Sequence, residues 1–404
     1  MRKATYIPVL IALSACKSAD HGSAMTGDAG DVLGGDASDG DAMIDASAPR
    51  CAQVVFPALQ APPSYPTGPS PTSLAVRDVN GDRKPDLVVT NGGMTMSVLL
   101  GNGDGTFQPK VDYATGRSAT AATIADVSGD RYPDVIVANQ DDGTVSVLRN
   151  NGDGTFQARS DLMTNAAPAA LAVADVNGDR SPDIIVANDT GSVTGTVSVL
   201  LGNGNGTFKP KVDLSTGASP GTVAVADVNG DGKPDIVATS GTDSNVNVLL
   251  GNGDGTFQPE ADYLLRRAAV AAAIAVVDVD HDGKLDIVAA DSVTNRAIVL
   301  RGKGDGTFPE VVDYLAGERP LSLAVADISG DGELDLVIAA FTAGAMSVLT
   351  GKGDGTFQAA IDTPVGTAPV ALAVADLDGD RVPDVAIVDQ DAGKVIVLLA
   401  QCLP

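Results

Sequence analysis

The chain of 404 residues contains no Trp, only eight Phe and six Tyr, two His and three Cys. Without indoles it lacks the ring that stacks best on sugars, and its core cannot rest on large aromatics. His21 and His281 are the only imidazoles, which leaves little material for acid–base chemistry in a cleft. Basic residues are scarce too, 26 against 52 acidic, for a formal charge of −26. A phosphate backbone needs a basic patch, so nucleic acid is excluded as a partner.

What the chain has instead is small and β-branched. Hydrophobic residues make up 44%, mostly Ala, Val, Ile and Leu, beside 46 Gly and 23 Pro. That mixture favours many short strands separated by many turns. It is also periodic. A nine-residue acidic segment recurs seven times, beginning at Asp78, Asp126, Asp175, Asp227, Asp278, Asp327 and Asp376, with spacings of 48, 49, 52, 51, 49 and 49 residues. Such a period marks a propeller or solenoid. Helical solenoids are excluded, because Gly and Pro punctuate every repeat and no segment carries an amphipathic helical period.

One unit reads as four strands. Residues 73–79 enter the acidic segment, 86–90 leave it, 95–100 follow a polar turn, and 107–113 follow the hairpin Gly101-Asn102-Gly103-Asp104-Gly105-Thr106. Four antiparallel strands in about 50 residues make one propeller blade. The hairpin recurs at Asn150, Gly202, Gly251, Gly302 and Gly351, and its Phe (Phe107, Phe156, Phe208, Phe257, Phe308, Phe357) is expected to plug the gap between blades. The hairpin acid reads as a turn residue, since the third copy has Asn205 there. A seventh hairpin is missing. The strand that should follow it stands at the front, within residues 53–65, where Tyr65-Pro66-Thr67-Gly68 mirrors Tyr113-Ala114-Thr115-Gly116. The expected fold is therefore all-β: a seven-bladed β-propeller over residues 51–404 whose last blade is closed by the N-terminal strand, leaving no long free edge.

The acidic loops follow Asp-x-(Asp/Asn/Ser)-x-Asp-x-x-x-Asp. Their candidate metal ligands are Asp78, Asn80, Asp82 and Asp86; Asp126, Ser128, Asp130 and Asp134; Asp175, Asn177, Asp179 and Asp183; Asp227, Asn229, Asp231 and Asp235; Asp278, Asp280, Asp282 and Asp286; Asp327, Ser329, Asp331 and Asp335; and Asp376, Asp378, Asp380 and Asp384. Oxygens at positions one, three, five and nine, with a carbonyl at seven, wrap a tight loop around a hard cation, and the loose geometry suits Ca²⁺ better than Mg²⁺. No Glu stands at position twelve, so position nine is expected to supply the last, bidentate ligand. Carboxylates this close repel unless a cation neutralises them. About seven calcium ions would cancel about half of the formal charge. His281, at position four of the fifth loop where the others have Gly, is expected to be a solvated passenger.

With loops and hairpins placed, residues 51–404 resemble FG-GAP/VCBS repeats, the propeller at the N-terminus of integrin α-subunits. Asp227-Val228-Asn229-Gly230-Asp231-Gly232-Lys233-Pro234-Asp235 is similar to that family's calcium motif. The Gly-Ala-Pro signature is absent, and Gly-Asp-Gly-Thr-Phe stands in the hairpin instead, as in the bacterial branch. The resemblance implies cations on a lower face and ligand contacts on an upper one, without naming the ligand.

The N-terminus resembles a bacterial lipoprotein leader. Arg2 and Lys3 precede a mostly apolar run over residues 4–13, too short to span a bilayer, and Leu13-Ser14-Ala15-Cys16 resembles a lipobox. Residues 1–15 then form the signal peptide and Cys16 carries the lipid. Lys17 after it implies the outer membrane. Residues 16–50, rich in Gly, Ala, Ser and Asp, read as a lipidated Cys followed by a disordered acidic linker spanning roughly 30 Å. Aligning both chain ends on the intact hairpins places Cys51 at the position of Asn102 and Cys402 at that of Gly103, so these two are expected to form a disulfide in the oxidising compartment.

The function this points to is a calcium-stabilised cell-surface binding or adhesion module, exported, tethered to the membrane only by its lipid, and not an enzyme. Its ligand would be a protein or a glycan on the upper face, whose few basic groups are Arg117, Arg266, Arg267 and Arg319. The alternatives are a lectin and, with less support, a polysaccharide lyase.

Overall fold

In each repeat the middle strands read as near-continuous apolar runs, such as Leu87-Val88-Val89, while the last strand alternates. A sheet covered on both faces needs the first pattern, and a sheet's outer edge tolerates the second. A computed structural model, which describes residues 53–56, 62–191, 195–241 and 243–403, shows this arrangement. It has seven four-stranded antiparallel sheets and, among the described residues, no helix. No helix there is long and apolar enough to cross a membrane.

Blade one contains the strands Pro71–Arg77, Asp86–Asn91, Thr95–Leu99 and Val111–Ala114, in that order from the axis outward. Its second strand is wholly buried, whereas Val111 on the outer strand is 54% exposed. Blades two to six repeat the plan. Phe107 itself lies ahead of the outer strand and makes an isolated bridge to Gly101.

The blades close into a ring through seven apolar clusters, each spanning a seam between neighbours. Leu87, Leu99 and Phe107 of blade one meet Val388, Val395 and Val397 of blade seven in one of them. The other six join the remaining neighbours in turn. Near the axis small side chains let the inner strands approach one another. There Thr72 donates its hydroxyl to the Ala119 carbonyl of the next blade at 2.8 Å.

Blade seven is split as expected: Ser64–Pro66 pairs with Lys394–Leu398 as its outer strand. The front of the chain, read from the sequence as one continuous strand, is two. The earlier piece, Gln53–Val55, pairs with Gln401–Leu403 in a separate ribbon, with Val54 opposite Cys402. Pro62 and Pro63 just ahead of Ser64 carry no amide hydrogen and cannot extend a ladder as donors, although the Pro63 carbonyl still accepts from Val397 N at 2.9 Å.

Candidate metal centre and binding face

Each acidic loop joins the first strand of a blade to its second, and the Gly-rich hairpin joins the third to the fourth. In an antiparallel sheet those two connections share a face. Contacts between blades bear this out: Gly206 N of the blade-three hairpin donates to Val127 O in the blade-two loop, and Gly105 N of blade one to Leu377 O in the blade-seven loop. All seven loops thus lie on one face, here the lower.

Within a loop the carboxylates fold the backbone around themselves. Asp78 at position one accepts from Gly81 N (2.7 Å) through Oδ1 and from Arg83 N (2.6 Å) through Oδ2. Positions four and six carry positive φ, as at Gly81 (78°) and Arg83 (65°). Glycine adopts this conformation freely, which accounts for Gly at position four in six loops. His281 takes it at 57° and is exposed, with Nε2 2.9 Å from Glu333 Oε2 of the next loop.

Position nine has a structural role beside the expected one. Asp86 is fully buried, and both oxygens already take backbone amides: Val79 N at 2.9 Å on Oδ2 and Gly101 N at 2.7 Å on Oδ1. Asp183, Asp235, Asp286 and Asp384 repeat the pairing. Asp335 does so with the amide of position three, Ser329, and Asp134 takes the amides of both Val127 and Ser128. The carboxylate therefore ties loop to hairpin, and only its second lone pairs remain for a cation. Sequence reading missed this tie because its partner lies 15 or more residues away.

Burial lifts the position-nine carboxyls well above the ordinary range, against the pull of those amides and with a further push from neighbouring acids. Asp86, Asp183, Asp235, Asp286 and Asp335 reach about 6 and Asp384 about 7, and Asp134 moves in the same direction. An acid held this way favours either a proton or a cation. The donor set is oxygen throughout, as a hard cation requires. In blades five and seven, where position three is also Asp, oxygens of Asp278, Asp280 and Asp286, and of Asp376, Asp378 and Asp384, lie within 4.8 Å of one another. These residues fit calcium, and positions one, three, five and nine would hold it.

The hairpin acids are turn residues. Asp104 Oδ1 accepts from both the amide (3.0 Å) and the hydroxyl (2.5 Å) of Thr106, and Asn205 does the same for Thr207. Hydrogen bonding to the Thr hydroxyl pulls the Asp104 carboxyl down.

The upper face carries the turns between second and third strands and the links between blades. The links hang on side chains of the following blade: Gly116 N donates to Asn139 Oδ1 at 2.9 Å, and Asn139 Nδ2 donates to Ser146 Oγ at 2.8 Å. Arg117 is exposed and pairs with Asp142 at 2.6 Å. Arg266 and Arg296 both pair with Asp313. Arg319 lies 4.7 Å above the Phe341 ring. Cys402 is disulfide-bonded, whereas Cys51 and Cys16 lie outside the described residues, as do the leader and linker.

No curated protein matches the chain in sequence. Solved structures share its fold at low identity. One, an Agrocybe aegerita lectin with specific recognition of non-reducing terminal N-acetylglucosamine, is 22% identical with a TM-score of 0.52, covering 79% of this chain and 85% of that one. BBS1N in complex with ARL6DN is 13% identical with a TM-score of 0.57, covering 87% and 96%. A streptogramin B lyase is 14% identical with a TM-score of 0.56, covering 88% and 100%. Identities this low speak for the fold alone. The FG-GAP-like repeat matches residues 78–137, 126–186, 175–238, 227–289, 278–338 and 330–387, five of these windows opening on the first Asp of an acidic loop. The chain belongs to the FG-GAP repeat family.

Proposed function

We propose that the protein is a calcium-stabilised, non-catalytic binding module of the cell surface that takes a protein or extracellular-matrix ligand on its upper face. The observation that carries this reading is the contrast between the two faces. Below, every acidic loop has the same nine-residue spacing, and in each the first Asp accepts the position-six amide through Oδ2. Above, the turns between second and third strands vary from three residues in blade one to six in blade three. A scaffold that keeps one face regular and lets the other vary supports specificity on the variable side.

Blades four to six are the strongest part of that side. Arg266, Arg267, Arg296 and Arg319 gather there in an otherwise acidic chain, near the exposed Leu264, Val293 and Leu315. Apolar and cationic groups side by side suit a ligand with acidic groups. The reading is tested by capturing ligands from envelope extracts with and without calcium, using the native protein and a double Arg267→Glu, Arg319→Glu variant. Equal capture by both proteins argues against this face. A glycan array separates a protein ligand from the alternative of a carbohydrate.

Calcium belongs to this reading as a folding ligand. With an affinity near ~0.1 mM per site, ~1 mM free calcium adds roughly 1.4 kcal/mol for each, or about 10 kcal/mol for seven independent sites. That is comparable to a domain's whole stability. Chelation should lower the melting temperature sharply, and an identical melting curve in EDTA removes calcium from the assignment. Export and lipidation at Cys16 complete the proposal: Cys16→Ser should shift the protein from the detergent phase to the aqueous one.

A further inference from the structure

We propose that Arg301 is a built-in counter-cation that weakens calcium binding at the acidic loop of blade five and leaves blade seven, with the same four carboxylates, as the tighter site. The inference rests on the calcium reading above. Blades five and seven alone carry Asp at positions one, three, five and nine: Asp278, Asp280, Asp282 and Asp286 in one, Asp376, Asp378, Asp380 and Asp384 in the other. Among the places where they differ is the residue just after the third-strand core, which is Arg301 in blade five and Leu399 in blade seven.

The geometry gives that difference a consequence. In six of the blades this residue lies beneath a hairpin glycine of the following blade. A Cβ on Gly105 would come within 2.6 Å of the Leu399 side chain, and one on Gly355 within 2.8 Å of Arg301 Nη2 and 2.9 Å of Asp280 Cβ. The guanidinium is thus held between two blades. Nη1 donates to Asp280 Oδ2 at 2.6 Å, and Nη2 donates to the Asp354 carbonyl of the next hairpin at 2.7 Å. Both side chains are largely buried, 21% and 14% exposed, so solvent screens the pair less than a surface one. Arg301 Nε is buried without a partner, which fits a guanidinium placed for its two outer nitrogens.

Charge decides the sign. Four carboxylates give a loop −4, and Arg301 returns blade five to −3, the value of the loops that have Asn or Ser at position three. A fixed positive charge beside the cation site both occupies one oxygen of Asp280 and repels a divalent ion. Lys284, 2.8 Å from Asp282, acts in the same direction but is exposed, where screening leaves little. Arg149 holds the equivalent place in blade two, 3.8 Å from Asp130 and 41% exposed, a weaker version of the same device. Blade seven has Leu399 in that place, and the one basic residue within its loop, Arg381, is exposed, where screening leaves little.

The test is calorimetric titration of the chelated full chain with calcium, for the native protein, Arg301→Leu and Arg301→Lys. Leu fits the site, since Leu100, Leu201, Leu250 and Leu399 occupy it in four blades. The expected result is that Arg301→Leu gains one tight site, binding at least about tenfold more strongly than the native loop, while Arg301→Lys resembles the native protein. Melting supplies a second readout. Arg301→Leu should melt lower than native in EDTA, because Asp280 loses its partner, and gain more from added calcium. An unchanged number of tight sites together with an unchanged calcium increment in melting temperature overturns the proposal. Failure of the native protein to bind calcium at all overturns the calcium reading itself, and this inference with it.

Discussion

Tyr65 stands edge-on to Phe107, ring centroids 5.3 Å apart and planes at 77°. Tyr65 lies in the short strand that completes blade seven and Phe107 lies just ahead of the outer strand of blade one, so the pair spans the closure of the ring. The same contact joins Tyr113 to Phe156, Tyr263 to Phe308 and Tyr314 to Phe357. Its T-shaped geometry sets the electropositive edge of one ring against the face of the other. Phe107→Ala should cost roughly 3 kcal/mol in urea denaturation. Tyr65→Leu should cost under about 1.5 kcal/mol, because Leu162 and Leu214 already fill that place against Phe208 and Phe257. Equal losses from the two would show that the aromatic pair, rather than the buried volume, holds the seam.

Asp82 and Asp86 belong to one loop yet should fail differently. Asp86→Asn replaces one accepting oxygen by an amide group, so either Val79 N or Gly101 N loses its partner. An unpaired buried donor costs about 1–3 kcal/mol, and this loss should appear even in EDTA. Asp82→Asn keeps an acceptor for Lys84 N, which Asp82 Oδ1 holds at 3.0 Å. It should be silent in EDTA and lower only the stabilisation that calcium adds. Melting both variants with and without chelator separates the ligand from the tie.

These two loop positions also mark the limit of what the sequence could tell. The blade count, the split seventh blade and the Phe plugs follow from local spacing, because a repeat exposes its own period. Phe107 and its five counterparts are visible as the same residue in the same hairpin. The double use of Asp86 is not, since its amide partner at Gly101 meets it only after two strands have paired. Arg301 was hidden for the same reason. Its meaning comes from Asp280 and from Asp354, the latter in another blade, and nothing in the run Val299-Leu300-Arg301-Gly302 announces it. The break in the closing strand escaped because a mirrored Tyr-Pro-Thr-Gly fixes only the end that resembles its counterparts.

The buried acids set a pH dependence whose sign differs with and without metal. Free carboxyls titrate near ~3.9, whereas Asp86 and its four equals sit at about 6 and Asp384 at about 7 in the fold. Between those values the folded chain binds more protons than the unfolded one, so stability falls as pH rises. The metal-free protein should melt higher at pH 5.5 than at pH 7.5. Calcium must displace those protons, so its affinity should rise with pH over the same window and narrow or reverse the difference. Exposed acids such as Asp153 and Asp254, held low by Thr hydroxyls, lose their contribution only below the ordinary carboxylate range. Scanning calorimetry at both pH values, in EDTA and in excess calcium, checks the sign. A metal-free protein that melts higher at pH 7.5 contradicts it.

The closing seam is the thinnest in the ring, and a covalent bond beside it should therefore matter. The strand that completes blade seven has three residues, Ser64–Pro66, whereas the outer strands of the other blades have four to six. Just below it, Gln53–Val55 pairs with Gln401–Leu403, which brings the front of the propeller against its end and sets Val54 opposite Cys402. Cys402 is disulfide-bonded. With Cys16 assigned to lipid, Cys51 is the partner we propose, two residues ahead of Gln53. Such a bond closes a loop of about 350 residues, and chain entropy gives it roughly 5 kcal/mol as an upper estimate, reduced by any native strain. Its effect should fall on the seam: reduction should lower the melting temperature, and Cys402→Ser should do so without a reductant. Thiol labelling of the denatured, unreduced, exported protein should find no reactive cysteine, and two per chain would end the assignment. Because the bond acts on the unfolded chain as well as on the seam, Tyr65→Leu should cost about as much with the disulfide as without it if the native ring stays closed. A markedly larger loss in the reduced protein would show that the seam opens locally once the clasp is gone.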